Sequence, residues 1–190
     1  MQFGYTMKIS INIRRVILTT LACFMAAILP LIFSASELIY TLSVPLFYSI
    51  AIPLTNLDKV ITKRKSQAFV LSILLTIILF FSSVSLGLLL GQSFLGTYSI
   101  HVVCLISGLL TLLINSIFIR IDNILLGLLI TGFFALSIPF LTLFLKGYKI
   151  FNIDLFGDPV TFFIVWPTIM GLAISISIWT KTTITKAIIE

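Results

Sequence analysis

Charge is what this sequence has least of. Lys and Arg number 12 and Asp and Glu six among 190 residues, or 9%, against roughly 25% in an ordinary soluble domain. With 59% of the residues hydrophobic, so few charges cannot clothe a water-facing globule, and the soluble single-core classes are excluded. Histidine occurs once and cysteine twice. Cys23 and Cys104 sit in separate apolar runs with no CxxC and no histidine cluster, which leaves no disulfide framework and no zinc site. Both read as small buried hydrophobes, and the residues before Cys23, Thr20-Leu21-Ala22, are a poor lipoprotein signal.

Catalytic motifs are missing too. There is no phosphate loop, no GxGxxG, no HExxH and no pair of carboxylates inside an apolar run. No Asp, Glu, Lys or Arg falls well within any run, so the intramembrane ionisable group that proton- and ion-coupled carriers need is absent. The one histidine, His101, has Ser107 six residues on, too far around a helix to act as its partner. The expectation is a protein that is not an enzyme and uses no metal and no cofactor. The net charge of +6 does not point to nucleic acid, because the basic residues lie between apolar runs and not on one water-facing patch.

What is present is a series of long apolar runs, each about as long as a bilayer is thick. They cover residues 16–33, 38–54, 68–90, 100–119, 124–145 and 160–179. The expected fold class is an all-α integral membrane protein, with six transmembrane helices in one bundle, short loops and no soluble domain; residues 1–190 form a single six-helix membrane domain. A competing reading of residues 1–36 is a cleaved secretory signal, with a basic start, an apolar run to Pro30 and Ser34-Ala35-Ser36 as a small-residue site, but the run exceeds the usual ~7–15 residues of a signal core. A likeness between residues 74–79 and 109–114 reflects composition and not an internal repeat.

The positive-inside rule orients the bundle. With an inside N-terminus, Lys8, Arg14, Arg15, Lys59, Lys63, Arg64, Lys65, Arg120, Lys181 and Lys186 are all inside, ten of the 12 basic residues. Only Lys146 and Lys149 are outside. The expectation is N-in/C-in, a multi-pass protein of the cytoplasmic (inner) membrane with both termini cytoplasmic and the lipid bilayer as its main partner.

Polar and small residues within the runs fall into stripes. On run four, His101, Cys104, Gly108, Thr111 and Asn115 follow at spacings of three and four, one helix face, and this stripe makes run four the expected centre of the bundle. Run two carries Thr41, Pro45, Ser49 and Pro53 every fourth residue. A proline frees a carbonyl that neighbouring protein or water must satisfy, so that face is expected to point inward. Ser72, Thr76, Ser83 and Gly87 on run three, Gly127, Thr131, Ala135 and Pro139 on run five, and Thr168, Gly171 and Ser175 on run six read as edges for close helix packing.

Two functions remain open at this point. Glu37 and Tyr40 at the start of run two, Gln92, His101, the outer-loop residues Asn152, Asp154 and Asp158, and Trp166 below them would converge in a compact bundle. Polar groups above an apolar cavity with an aromatic wall form a small-solute site. That supports a non-enzymatic protein binding or passing a small solute through an outward-facing pocket, alone or as a transporter subunit. The alternative is an accessory or immunity-type protein that packs against another membrane protein through small-residue edges: Ala22, Ala26, Cys104, Gly108, Thr111, Asn115, Gly127, Ala135 and Gly171. Length, six spans and inside termini are similar to the substrate-binding membrane subunits of energy-coupling-factor transporters. Those subunits dock a partner through an Ala-xxx-Ala face on the first span, a spacing present in Ala22 and Ala26. No vitamin-binding signature accompanies it, and the spacing alone assigns no family.

Overall fold

A computed structural model describes residues 2–33, 37–62, 65–92, 98–145 and 159–189. Among the described residues six helices form: α1 Ile13–Phe33, α2 Glu37–Thr55, α3 Lys65–Gly91, α4 Ser99–Phe118, α5 Ile124–Leu145 and α6 Pro159–Trp179. Each coincides with one of the six apolar runs to within a few residues. Two of the helices begin on asparagine caps. Asn12 Oδ1 accepts from the Arg15 amide at 3.3 Å, and Asn123 Oδ1 accepts from the Leu126 amide at 3.0 Å, each satisfying a first-turn N–H that has no partner within the helix.

Five helices, α1, α3, α4, α5 and α6, are long and apolar enough to cross a membrane. In α2 the apolar stretch Ile39–Thr55 is shorter, so the expected sixth span falls at the lower end of the ~17–25 residues a crossing needs.

The termini depart from the expected all-helical chain. Residues 2–11 (β1) and 180–189 (β2) pair antiparallel along their whole lengths, from Gln2 opposite Ile189 to Ile11 opposite Thr180. Seven of the ten β2 residues are Thr or Ile, branched side chains that favour strand over helix. The Asn12 amide also donates to the Trp179 carbonyl at 3.4 Å, so the chain's two ends leave the bundle side by side.

The helices close into a ring in which α1 packs on α2 and α6, α5 on α4 and α6, and α3 on α2 and α4. Its centre is α6 and not α4: 61% of the α6 apolar window is buried, against 33% for α1, α4 and α5 and 11% for α3. The reason is packing on several sides, with α1, α5 and α2 all against α6; α5 is just as apolar and only 33% buried, so apolarity all round does not mark the central helix. The stripe on α4 marks only the face that meets the others. Close approach depends on small residues at the contacts. A Cβ on Gly171 of α6 would stand 2.6 Å from Cys23 Sγ of α1, and one on Gly108 of α4 would stand 2.7 Å from Ala135 Cβ of α5. Among the helix prolines, Pro53 removes the amide that would have bonded to the Ser49 carbonyl. Ser72 of α3 supplies the replacement, its hydroxyl donating to that carbonyl at 2.7 Å.

Candidate functional site: a cavity sealed at one end

One end of the bundle is basic and tightly closed. There the loop after α2 and the link between α4 and α5 form a short bridge, with Val60 opposite Ile119, the Ile61 amide donating to the Phe118 carbonyl and the Arg120 amide to the Lys59 carbonyl, both at 2.9 Å. Beneath the bridge Asn56 is fully buried. Trp179 Nε1 donates to Asn56 Oδ1 at 2.6 Å, and Asn56 Nδ2 faces the Ile52 carbonyl at 2.8 Å and the hydroxyls of Thr55 and Thr19 at 3.1 and 3.3 Å. The indole can only donate, which fixes which way the amide points.

Cations flank the indole. Arg15 Cζ lies 5.3 Å and Lys59 Nζ 5.2 Å from the Trp179 ring centroid, within range of attraction to the ring's negative face. The same cations are balanced by carboxylates, Arg15 with Asp58 at 3.6 Å and Lys59 with Asp122 at 3.8 Å, while Arg120 Nε holds Asp122 at 3.0 Å. The ends of α1, α2 and α6 and the α4–α5 link are thereby joined at one plug. Reading the runs one at a time missed Asn56 and Trp179. The available signal was an amide just after one apolar run and an indole closing another.

At the opposite end the ring opens. A cavity of about 340 Å³ lies between Val44, Pro45 and Tyr48 of α2, residues from Thr76 to Gly87 of α3, the first turns of α4 from Ser99 to Ser107, and Phe162, Phe163, Trp166 and Pro167 of α6. That volume is at the lower end of the ~300–1,000 Å³ typical of ligand pockets. Trp166 meets Tyr48 edge-on at 5.5 Å between ring centroids, and Phe80 lies 6.1 Å from Phe163, so aromatic rings supply much of the wall. None of the lining residues is charged. Five hydroxyls and the Trp166 indole N–H supply the polar part, and two of the hydroxyls are already engaged or hidden. Ser107 donates to the Cys104 carbonyl at 3.2 Å, and the Tyr48 hydroxyl is buried away from the open space without a hydrogen-bond partner.

The residues expected to gather as a site are distributed differently. Trp166 lines the cavity. His101 does not: its ring packs edge-on against Phe140 of α5 at 5.0 Å, on the other side of α4, with Nδ1 buried and unpartnered. Glu37 is the first residue of α2, while Asn152, Asp154 and Asp158 lie outside the described residues. Of the packing candidates, Ala26, Cys104, Thr111, Asn115 and Ala135 are buried in the core and Ala22 packs against it. Gly108, Gly127 and Gly171 each face a neighbouring helix closely enough for an added Cβ to touch it. The Thr111 hydroxyl donates to the Ser107 carbonyl at 2.6 Å and Asn115 Nδ2 to the Thr111 carbonyl at 2.8 Å, leaving Asn115 Oδ1 buried and unpartnered. Thr76, Ser83 and Gly87, read from sequence as a packing edge, also line the cavity.

Among the described residues no three His, Cys, Asp or Glu side chains cluster as metal ligands. Compared with family models, with curated proteins and with solved structures, the chain matches none.

Proposed function

We propose that this chain is a multi-pass membrane protein that binds a small ligand in the cavity between α2, α3, α4 and α6 and catalyses no reaction. The basic end faces the cytoplasm, both termini with it, and the cavity belongs to the outward half of the bilayer. The exposed belt of large apolar side chains supports the membrane setting: Val70, Leu74, Ile78 and Phe81 of α3 and Leu125, Leu129 and Phe133 of α5 are all more than half exposed, which only lipid tolerates over such lengths.

The observation that carries ligand binding is the cavity itself, roomy at one end of a bundle whose other end is plugged. The cavity lining ends at residues such as Tyr48, Thr76 and Ser107, and beyond it the bundle is closed at Asn56 and Trp179, so the chain alone is a binding protein, and passage across the membrane requires a partner or a different conformation. The helix-packing alternative has less support. The small-residue edges it would need, at Ala26, Gly127 and Ala135, are buried within the chain's own contacts.

Ligand binding is tested by thermal unfolding of the purified protein against a panel of charged, polar and apolar small molecules. A binder should raise Tm, and Gly87→Leu should remove the rise without lowering the ligand-free Tm, because a Cβ there meets only Val103 Cγ2 at 3.8 Å and Leu favours the helix over Gly. A panel in which nothing raises Tm, or in which Gly87→Leu leaves every rise intact, contradicts the proposal. The orientation is tested separately by a reporter fused after Glu190, which should be active only on the cytoplasmic side.

A further inference from the structure

We infer that the cavity's occupant is the uncharged hydrocarbon chain of a lipid-like molecule and not a polar solute, an inference that rests on the ligand-binding reading above. The first observation is what the wall cannot offer. A space of about 340 Å³ would hold about ten waters at roughly 30 Å³ each, and a buried water needs two to four polar partners. The wall provides only scattered hydroxyls and the Trp166 indole N–H; the Ser107 hydroxyl donates to the Cys104 carbonyl, and that of Tyr48 is buried. A charged or strongly polar solute would lose its hydration there and find no counter-charge.

The second observation is what surrounds the cavity. His101, the one titratable side chain the sequence places at that level of α4, is packed on Phe140 outside it. Rings of Phe80, Phe163 and Trp166 face the space, and at its margin Val84 and Ile100 are 47% and 42% exposed. The wall therefore runs, interrupted only by uncharged hydroxyls such as those of Ser83 and Ser99, into the largely apolar outer surface of α3, where Phe81 and Leu88 are also exposed. A hydrocarbon chain can pass from the bilayer into the cavity without leaving apolar contact, and its burial against aromatic rings is favourable by the same apolar-surface effect that stabilises a core.

The test uses Trp166 as a reporter inside the full-length protein, reconstituted into nanodiscs of phosphatidylcholine with plain or brominated acyl chains, since bromine quenches an indole it touches. The sequence has two tryptophans, and subtracting the emission of the Trp166→Phe protein removes the contribution of Trp179. The expected result is strong quenching of Trp166 by brominated chains, most of which disappears in Gly87→Leu and in Ser83→Phe, two variants that fill the cavity from α3. Quenching that both variants leave unchanged would mean contact with bulk lipid only and would overturn the inference. Absence of quenching, together with a Gly87-sensitive Tm rise from a polar solute, would also overturn it while leaving the ligand-binding reading in place.

Discussion

Trp179 and Asn56, 123 residues apart in the chain, are joined by a 2.6 Å hydrogen bond in a site where the amide is fully buried. The bond ties the end of α6 to the end of α2 at the point where Arg15 and Lys59 flank the indole. Replacing Asn56 with Leu leaves the Trp179 N–H without its acceptor, and replacing Trp179 with Phe leaves Asn56 Oδ1 without a donor. A buried polar group stripped of its partner costs about 1–3 kcal/mol. Each single variant is expected to lower the unfolding free energy by that order, measured by denaturant or thermal unfolding in detergent. The double variant should lose less than the sum, because both changes remove the same bond.

Gly171 sets the distance between α1 and α6. With Cys23 Cβ and Sγ both 2.6 Å from where its Cβ would stand, Gly171→Ala forces the helices apart and is expected to destabilise by about 1–3 kcal/mol. Cys23→Gly in the same chain should restore part of the loss. Gly87→Ala, whose Cβ would make only an ordinary 3.8 Å contact with Val103, should leave Tm unchanged or raise it slightly, since Ala favours the helix over Gly.

The helices were legible because a bilayer-length apolar run leaves few alternatives, and the six runs coincide with the six helices. Which helix is central was not legible in the same way. The stripe from His101 to Asn115 identifies the inward face of α4, whereas the central position of α6 depends on all of its faces being covered at once, which no periodicity displays. The pairing of residues 2–11 with 180–189 joins segments at opposite ends of the sequence, and strand preference in each says nothing about the partner. An outer cavity with Trp166 in its wall was expected, but its α3 side was not legible, for a related reason. Small residues such as Ser83 and Gly87 permit close helix approach and also leave space when the neighbour stays away, and only the helix positions distinguish the two.

Asp122 accepts a hydrogen bond from Arg120 Nε at 3.0 Å and forms an ion pair with Lys59 Nζ at 3.8 Å at the basic end. The Arg120 side chain is 71% exposed, so water and salt screen much of the attraction. Asp122→Asn is expected to lower stability by ~1 kcal/mol at most, with the difference shrinking as salt is raised in the unfolding assay.

Cys23 and Cys104 are both fully buried, each at 0% exposure. Neither thiol should react with a maleimide in the folded protein, and both should react once it is unfolded in detergent and denaturant. Rapid modification of Cys23 under native conditions would mean that α1 and α6 separate at Gly171.

An experimental structure in lipid nanodiscs would test the ligand site most directly. Expected is an open space between α2, α3, α4 and α6 holding elongated density that runs past Val84 and Ile100 toward the bilayer. Helix α3 packed directly on Phe163 and Trp166, with no space between them, would contradict a binding function for this bundle.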